Sequence, residues 1–323
     1  MDKPNTTKNG FSRKFSVTIT PLRVATMDIK NPRIAGISAD DCFLYTIDQP
    51  DISVFDKRLE KSSFLRVPLT KSTLKLRVFV DFPKIYISNS KSSDFYIYDY
   101  NTEEKISYSL KYRTGEYSVL PNKTIVGVYL NASEMGTYRE IGIFDLKTDS
   151  FYMNKKGGLS KVYDGGFYQD GMLHYDVFND LIVYIFRFRN KVLAFDSALN
   201  ISFSFSTIDT FSTTQLKILK ERNKSDNKLW NYTLAKPPRS VNNKSCVADG
   251  YAFVCSYVKA DNENLSAFDK NSVVDVYRII DGEYAGSFYI PHHEGKPLSD
   301  FIVTDNKLLV VYDNNLSLFQ VII

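Results

Sequence analysis

Six short segments of the chain end in an aromatic residue, and in four of them aspartate follows. The segments are Ile52–Asp56, Tyr96–Asp99, Ile141–Asp145, Val192–Asp196, Val274–Arg278 and Leu316–Gln320. Measured between the aromatic residues, the steps are 43, 46, 51, 82 and 42 residues. A recurrence at this interval is typical of an array of similar small sheets.

The second unit shows what surrounds each aromatic segment. It contains four apolar strand patterns in about 40 residues, which is the length of one blade of a β-propeller. These patterns are Leu76–Val80, Lys84–Ser88, Tyr96–Asp99 and Lys105–Leu110. We interpret the aspartate after each aromatic residue as structural, because its carboxylate can accept backbone N–H bonds in the tight turn that follows.

The last unit lacks an outer strand, since the chain ends at Ile323 shortly after the aromatic segment. The alternating segment Phe15–Thr20 near the amino terminus can supply it, and a ring closed in this way leaves no exposed sheet edge. The sequence therefore predicts an all-β fold, a six-bladed β-propeller closed by an N-terminal strand in the last blade. We expect one domain over residues 1–323, with a flexible amino terminus at 1–10.

The step of 82 residues is nearly two blades long. Its middle is rich in charged residues and contains one weak strand candidate, Leu229–Thr233. A segment of this composition is not expected to form four paired strands. We predict an insertion at 212–243, between blades 4 and 5, with a seventh blade as the alternative.

Composition excludes some classes of function. The 323 residues include 41 basic and 37 acidic side chains, for a net charge of +4, so nothing indicates nucleic-acid binding. No apolar run approaches the ~20 residues that span a bilayer, so no transmembrane segment is predicted. The aromatic share of 14% suits pleated sheets.

The three cysteines, Cys42, Cys246 and Cys255, are expected to be buried free thiols, with a Cys246–Cys255 disulfide as the alternative. No C-x-x-C spacing occurs and the histidines lie far from the cysteines in sequence, so we predict no metal site. Walker, nucleophile-elbow and His-Glu-x-x-His motifs are lacking as well, and we predict no cofactor.

The carboxy-terminal half resembles a known group of proteins. The residues that carry the resemblance are Gly171–Tyr175, Leu181–Tyr184, Arg187–Asn190, Thr207–Thr210, Leu298–Phe301 and Asp305–Leu308. They are similar to exported six-bladed β-propeller proteins of Bacteroidota, with NHL/WD40-like architecture, many of which are lipoproteins or periplasmic. The amino-terminal half shares only the blade periodicity.

The resemblance implies no particular catalytic residues. It implies a periplasmic or cell-surface location, as a mature form without its leader, and a possible lipid anchor in the full-length precursor. A cytoplasmic location is the alternative.

Binding residues of a propeller usually lie on the loops of one face around the central channel. Connections between second and third strands emerge on the same face as those between successive blades. The repeat places Arg189 in the first kind of loop and Arg113, Asp164, His292 and His293 in the second kind. The imidazoles can act as bases or ligands, and the guanidinium groups can bind a carboxylate or phosphate. His174, on the inner strand of blade 4, can face the channel or the interface between blades, and a hydrogen-bonded structural histidine is the favoured interpretation.

These patterns favour a binding or scaffold protein over an enzyme. We expect the loops to hold a protein or peptide partner in the cell envelope, with an outer-membrane complex as the candidate. The alternative is a propeller hydrolase or lyase that acts on a sugar or peptide at the channel mouth. Small-ligand sensing in the central pocket is a third hypothesis.

Overall fold

The computed structural model describes residues 8–49, 51–69, 75–153, 158–224 and 229–323. Within these residues, six antiparallel sheets of four strands surround one axis and form a six-bladed β-propeller. The inner strands of neighbouring blades contact one another, and strands of all six blades line a central channel. The predicted fold class is therefore confirmed.

The first strand, β1 (Thr18–Thr26), belongs to the last blade. Blades 1 to 3 follow in chain order, each with its strands arranged from the axis outward. They consist of β2 (Arg33–Ile37), β3 (Asp41–Tyr45), β4 (Ile52–Asp56) and β5 (Lys61–Leu65), then β6 (Leu76–Asp81), β7 (Lys84–Asn89), β8 (Asp94–Asp99) and β9 (Glu104–Ser109), then β10 (Arg113–Val119), β11 (Thr124–Ser133), β12 (Gly136–Asp145) and β13 (Ser150–Tyr152).

Blades 4 to 6 repeat this order, with a short hairpin between blades 4 and 5 and one helical turn inside blade 5. The elements are β14 (Gly171–Asp176), β15 (Leu181–Phe186), β16 (Lys191–Phe195) and β17 (Ile201–Ser206), the hairpin β18 (Ile218–Arg222) and β19 (Trp230–Leu234), then β20 (Asn242–Ala248), β21 (Tyr251–Ser256), α1 (Leu265–Asp269), β22 (Asn271–Arg278) and β23 (Tyr284–Pro291), and finally β24 (Asp300–Thr304), β25 (Lys307–Val311) and β26 (Asn315–Ile322).

The ring closes as predicted, because β1 pairs with β26 and becomes the outer strand of blade 6. The register runs from Thr18 opposite Ile322 to Thr26 opposite Asn315, with an irregularity after Pro21. The predicted limits, 15–20, were too early. Phe15 and Ser16 lie against blade 5 instead, where the Phe15 ring stacks on Tyr289 and the Ser16 hydroxyl donates to the carbonyl of Ala285.

Six apolar clusters, one between each pair of neighbouring blades, hold the ring together. The repeated aromatic residues belong to these clusters, and each is at most 7% exposed: Phe55, Tyr98, Phe144, Phe195, Tyr277 and Phe319. A large ring at the same position of every blade fills the wedge between two diverging twisted sheets. The recurring aromatic pattern is thus the packing of one blade against the next.

The aspartates after the aromatic residues have the predicted turn role in all four units. Asp56 accepts hydrogen bonds from the backbone N–H groups of Arg58 (2.8 Å) and Glu60 (2.9 Å). In the other three units the carboxylate likewise accepts a backbone N–H two residues further on. These aspartates are Asp99, Asp145 and Asp196. Each carboxylate stabilises the turn that leads to the outermost strand.

The segment between β17 and β20 contains the two-stranded sheet β18–β19, which lies outside the six blades. The hairpin packs on the connection between β11 and β12: Lys220 donates to the Met135 carbonyl (2.8 Å) and the Trp230 indole to that of Glu134 (3.0 Å). The Tyr232 hydroxyl accepts a bond from the backbone N–H of Thr137 (3.2 Å). Within the described ranges there are six four-stranded sheets, so a seventh blade is not formed there.

All three cysteines are buried free thiols, so the alternative of a Cys246–Cys255 disulfide is wrong. Cys246 and Cys255 lie on the neighbouring strands β20 and β21, and burial raises the pKa of Cys255 to about 12. Such thiols behave as small apolar side chains. In the described part of the chain, no helix is long and apolar enough to cross a membrane.

Candidate functional site

The two faces of the ring differ in the length of their connections. We call the face that carries the connections between second and third strands, and those between blades, the loop face, and the opposite one the turn face. On the turn face no connection exceeds the five residues of 196–200 and 279–283. The loop face carries the long ones, 66–75, 153–170, 207–241 and 257–270. Long connections concentrated on one face are typical of a binding surface.

A cavity of about 270 Å³ occupies the central channel and is lined by the inner strands of all six blades. Each inner strand contributes one Arg, Lys, His, Asp or Glu side chain to it. They are Arg33, Arg77, Glu116, His174, Lys244 and Asp300, from blades 1 to 6 in turn. Because every inner strand starts at the loop face, the opening on that face lies close to these side chains.

A second cavity of about 410 Å³ forms the mouth of the channel on the loop face. It shares Arg33, Arg77, Glu116 and Arg187 with the channel. Its further charged residues are Lys75, Arg139 and Asp170. Over both cavities, six basic side chains face three carboxylates, which leaves an excess of three positive charges.

Three carboxylates fix most of these cations in ion pairs. Glu116 binds both terminal nitrogens of Arg77. Burial alone would lower the pKa of Arg77, but the Glu116 carboxylate raises it above its usual value. Asp170 is shared by Arg139 at 3.1 Å and Arg187 at 3.2 Å.

Lys244 and Asp300 form a looser pair, with 3.8 Å between the ammonium and the carboxylate. Asp300 also accepts a hydrogen bond from the backbone N–H of Ile34 at 3.1 Å. Its carboxylate therefore interacts with Lys244 of blade 5 and with the backbone of blade 1. Burial lowers the pKa of Lys244, and the nearby positive charge of Arg33 acts in the same direction. A further anion in the channel would stabilise this ammonium.

Arg33 is half-buried at the point where the channel meets its mouth. Within the described chain, its guanidinium forms no ion pair and no hydrogen bond. A planar guanidinium carries five N–H donors in a geometry that matches a carboxylate or phosphate. Arg33 therefore presents unused donors to the channel.

His174 lines the channel, as one of the two sequence interpretations allowed. Its Nε2 lies 2.7 Å from the Ser245 hydroxyl on the next blade. Burial lowers the pKa of His174 to about 4. The imidazole is therefore neutral at neutral pH, and the charge of the channel comes from its other residues.

The depressed pKa of His174 predicts a stability difference below neutral pH. The unfolded state takes up the proton first, so folding stability is lost as pH falls from 6.5 toward about 4. In His174→Gln, about 1–3 kcal/mol of this loss should disappear. Urea unfolding of both proteins at pH 7, 5.5 and 4.5 measures the difference, with His293→Gln as the control. Parallel curves for wild type and His174→Gln would contradict the assignment.

Arg189 lies in the loop-face connection 187–190, where sequence reasoning placed it, but it does not line the channel or its mouth. It is 8% exposed and donates to the side-chain carbonyl of Gln169 at 2.8 Å. Its guanidinium stacks 3.8 Å from the centre of the Phe186 ring and 4.6 Å from that of Tyr168. In this position Arg189 packs against Tyr168 and Gln169, at the end of the connection that precedes β14.

The other four candidates lie apart from the two central cavities. Arg113 is exposed at the start of β10. Asp164 accepts the backbone N–H groups of Gly166 (2.9 Å) and Tyr168 (2.6 Å), which is a turn-forming role. Among the described residues, no group of three or more His, Cys, Asp or Glu side chains is arranged to hold a metal ion.

The two adjacent histidines lie at the start of connection 292–299 and have different surroundings. The backbone N–H of His292 donates to the carbonyl of Lys270 at 3.0 Å, and partial burial lowers the pKa of its imidazole. His293 pairs through its backbone with Lys296, and its ring lies 5.5 Å from that of Tyr312. The structure thus brings only His174, of the six candidates, to the channel.

Sequence reasoning missed five of the six charged or imidazole side chains that the inner strands contribute to the channel, namely Arg33, Arg77, Glu116, Lys244 and Asp300. A signal was available, because each inner strand carries a charged or imidazole side chain within its first four residues. On the edge of a sheet that is otherwise buried, such a residue must face either solvent or a channel. Reading the inner strands together would have exposed this pattern.

The sequence matches no protein-family model and no curated protein. Among solved structures, the chain is similar to a member of the DUF4221 family from Bacteroides vulgatus, with a TM-score of 0.60 and 13% identity over 96% of this chain and 99% of that one. A protein of unknown function from Bacteroides thetaiotaomicron gives 0.55 and 13% over 96% and 73%.

Catalytically inactive virginiamycin B lyase from Staphylococcus aureus, solved with quinupristin, gives a TM-score of 0.56 and 7% identity over 95% of this chain and 100% of that one. At such identities these similarities show a shared propeller fold alone. The expected likeness to Bacteroides propellers is thereby confirmed at the level of architecture.

Proposed function

We propose that the chain is a non-catalytic binding propeller whose loop face holds a protein or peptide partner. The observation that carries this proposal is the concentration of the long connections on the loop face, the face on which the channel opens. Rigid blades hold these connections in place, while the turn face has only short turns. A rigid disc with long connections on one face is suited to binding a partner on that face.

The proposed site of action is the cell envelope, either the periplasm or the cell surface. This part of the proposal depends on the sequence resemblance to exported propellers of Bacteroidota, in which a leader is removed and a lipid anchor is common. An outer-membrane complex is the partner we consider first. The virginiamycin B lyase shares the fold at 7% identity, and an identity this low does not indicate that the two proteins share an activity.

Site-specific photo-crosslinking in cells that naturally produce the protein tests the proposal. A photoreactive amino acid is placed at Ile47 or Arg113 on the loop face, and at Val177 on the turn face as the control. Ile47 and Val177 are 38% and 76% exposed, so each can accept the probe without repacking the core. We expect specific cross-linked species from the loop-face positions alone. Cross-links from Val177 only, or from none of the three, would refute a partner on the loop face.

A further inference from the structure

We propose that the mouth of the central channel binds a carboxylate of a peptide and that Arg33 is its principal anchor. This inference rests on the proposed binding function and specifies the chemistry of its partner. The carboxylate is either the carboxy terminus of the peptide or the side chain of an Asp or Glu residue. Both sources present the same planar, two-oxygen group to a guanidinium.

The first step of the argument is the charge of the site. The two cavities that meet at the mouth contain three more cations than carboxylates. This local excess of positive charge attracts an anion into the channel, and the attraction weakens as the salt concentration rises. The chain as a whole has a net charge of only +4 on 323 residues, so the excess here is a local feature.

The second step is that Arg33 differs from the other arginines of the site. Glu116 occupies the guanidinium of Arg77, and Asp170 occupies those of Arg139 and Arg187. Arg33 has no such partner in the part of the chain that the structure describes. A half-buried cation without a partner is costly, and a bound carboxylate would offset this cost by a bidentate ion pair.

The third step identifies a second donor. Lys244 interacts electrostatically with Arg33 across the channel, and its own carboxylate, Asp300, is 3.8 Å away. An anion between Arg33 and Lys244 would relieve the repulsion between these two cations. The exposed Lys75, at the rim of the mouth, adds positive charge on the approach path.

The fourth step favours a peptide as the carrier of the carboxylate. The mouth is not lined by charge alone, since Ile47, Leu76 and Leu130 form apolar parts of its wall. Apolar walls beside a fixed cation suit an amino-acid side chain next to a carboxylate. Nucleic acid is disfavoured because its repeated phosphates need a broad basic surface.

Affinity selection from two synthetic tetrapeptide libraries tests the inference. One library has free carboxy termini and the other has amidated termini, and both contain all common side chains. Immobilised protein is incubated with each, and retained peptides are identified by mass spectrometry at 50 mM and 500 mM NaCl. A set of uronic-acid oligosaccharides is the third probe. We expect carboxylate peptides to be retained, and less so at high salt.

Three variants assign the anchor. Arg33→Gln should lower retention at least about tenfold, and Arg33→Lys should have an intermediate effect because it keeps the charge without the planar fork. Arg58→Gln removes the same charge from an exposed position in the β4–β5 turn, on the turn face, and should leave retention unchanged. Thermal unfolding of each variant shows that the protein remains folded.

The possible outcomes separate this inference from the proposed function. Retention of free-acid peptides only, or of amidated peptides only when they contain Asp or Glu, supports the carboxylate and identifies its source. Equal retention of acidic and neutral amides overturns the carboxylate inference but leaves a peptide-binding propeller.

Retention of uronic-acid oligosaccharides alone overturns the peptide assignment. Retention that Arg33→Gln does not reduce overturns the assignment of Arg33 as the anchor. Loop-face cross-links without any retained peptide would overturn this inference while the proposed function stands.

Discussion

Replacing Arg13 by methionine should lower the free energy of unfolding by about 3–5 kcal/mol, because it leaves two buried carboxylates without their cation. The Arg13 side chain has no exposed surface, and neither has that of Glu263. Asp275, on β22, is 3% exposed and accepts two bonds from Arg13, at 2.7 and 3.0 Å. Glu263 binds the remaining terminal nitrogen, which also donates to the Val258 carbonyl at 2.8 Å.

The electrostatics of this cluster agree with a permanently charged Arg13. Burial alone would lower the pKa of its guanidinium, but the Asp275 and Glu263 carboxylates raise it above its usual value. Further bonds hold the two carboxylates, from the Ser287 hydroxyl to Asp275 (2.5 Å) and from the Tyr289 hydroxyl to Glu263 (2.6 Å). Loss of Arg13 therefore disrupts a network of blade 5, and not one surface pair.

Guanidinium chloride unfolding followed by far-UV circular dichroism measures the effect. Arg23→Met is the matched control, since Arg23 is exposed on β1 and donates to the carbonyl of Arg58. The control should change the unfolding free energy by less than about 0.5 kcal/mol. Adding Asp275→Asn to Arg13→Met should restore part of the loss because it removes one uncompensated charge. A loss below about 1 kcal/mol for Arg13→Met would contradict the structural role assigned here.

The blade repeat was visible in the sequence because local chemistry produces it. In each blade the third strand needs a large ring at the interface with its neighbour, as Phe195 and Tyr277 show, and both are 0% exposed. The turn after it needs a short acceptor such as Asp56 for two backbone N–H groups. Both requirements fall within a few residues, so they appear as a motif. Closure by a terminal strand followed from the missing outer strand of the last blade.

The channel was harder to predict because its residues are far apart in sequence. Arg33 and Lys244 are separated by four blades of chain, and they interact only because the ring closes between blades 6 and 1. His174 was the one inner-strand residue of the channel found, since a histidine between apolar residues is conspicuous. A single arginine or lysine at the start of a strand resembles an ordinary surface charge until the six inner strands are superimposed.

The role of the segment before β1 had no local signature at all. Residues 8–14 are mostly polar and contain no repeat, yet Arg13 is buried and Phe11 packs with Val258 and Ala260. The backbone N–H groups of Asn9 and Gly10 donate to Asp261 at 2.6 and 3.0 Å. These contacts join positions about 250 residues apart, so composition could not reveal them.

Deleting residues 1–26 is expected to abolish cooperative folding, a loss comparable to the whole stability of a typical domain, about 5–15 kcal/mol. The deletion removes β1 and leaves β26 as an open edge over its length. It also removes Arg13 and exposes part of the apolar cluster between blades 5 and 6, to which Val17 belongs. An unpaired edge of this kind promotes aggregation, which size-exclusion chromatography detects.

Two further variants separate the closing strand from the segment before it. Deletion of residues 1–17 keeps β1 and removes Arg13, so it should elute like the full-length protein in size-exclusion chromatography but with lowered stability, similar to Arg13→Met. A synthetic peptide of residues 8–26, added to the 1–26 deletion during refolding, should restore the cooperative transition by supplying both elements in trans. If the 1–26 deletion unfolds at the wild-type midpoint, the pairing of β1 with β26 contributes nothing to the fold.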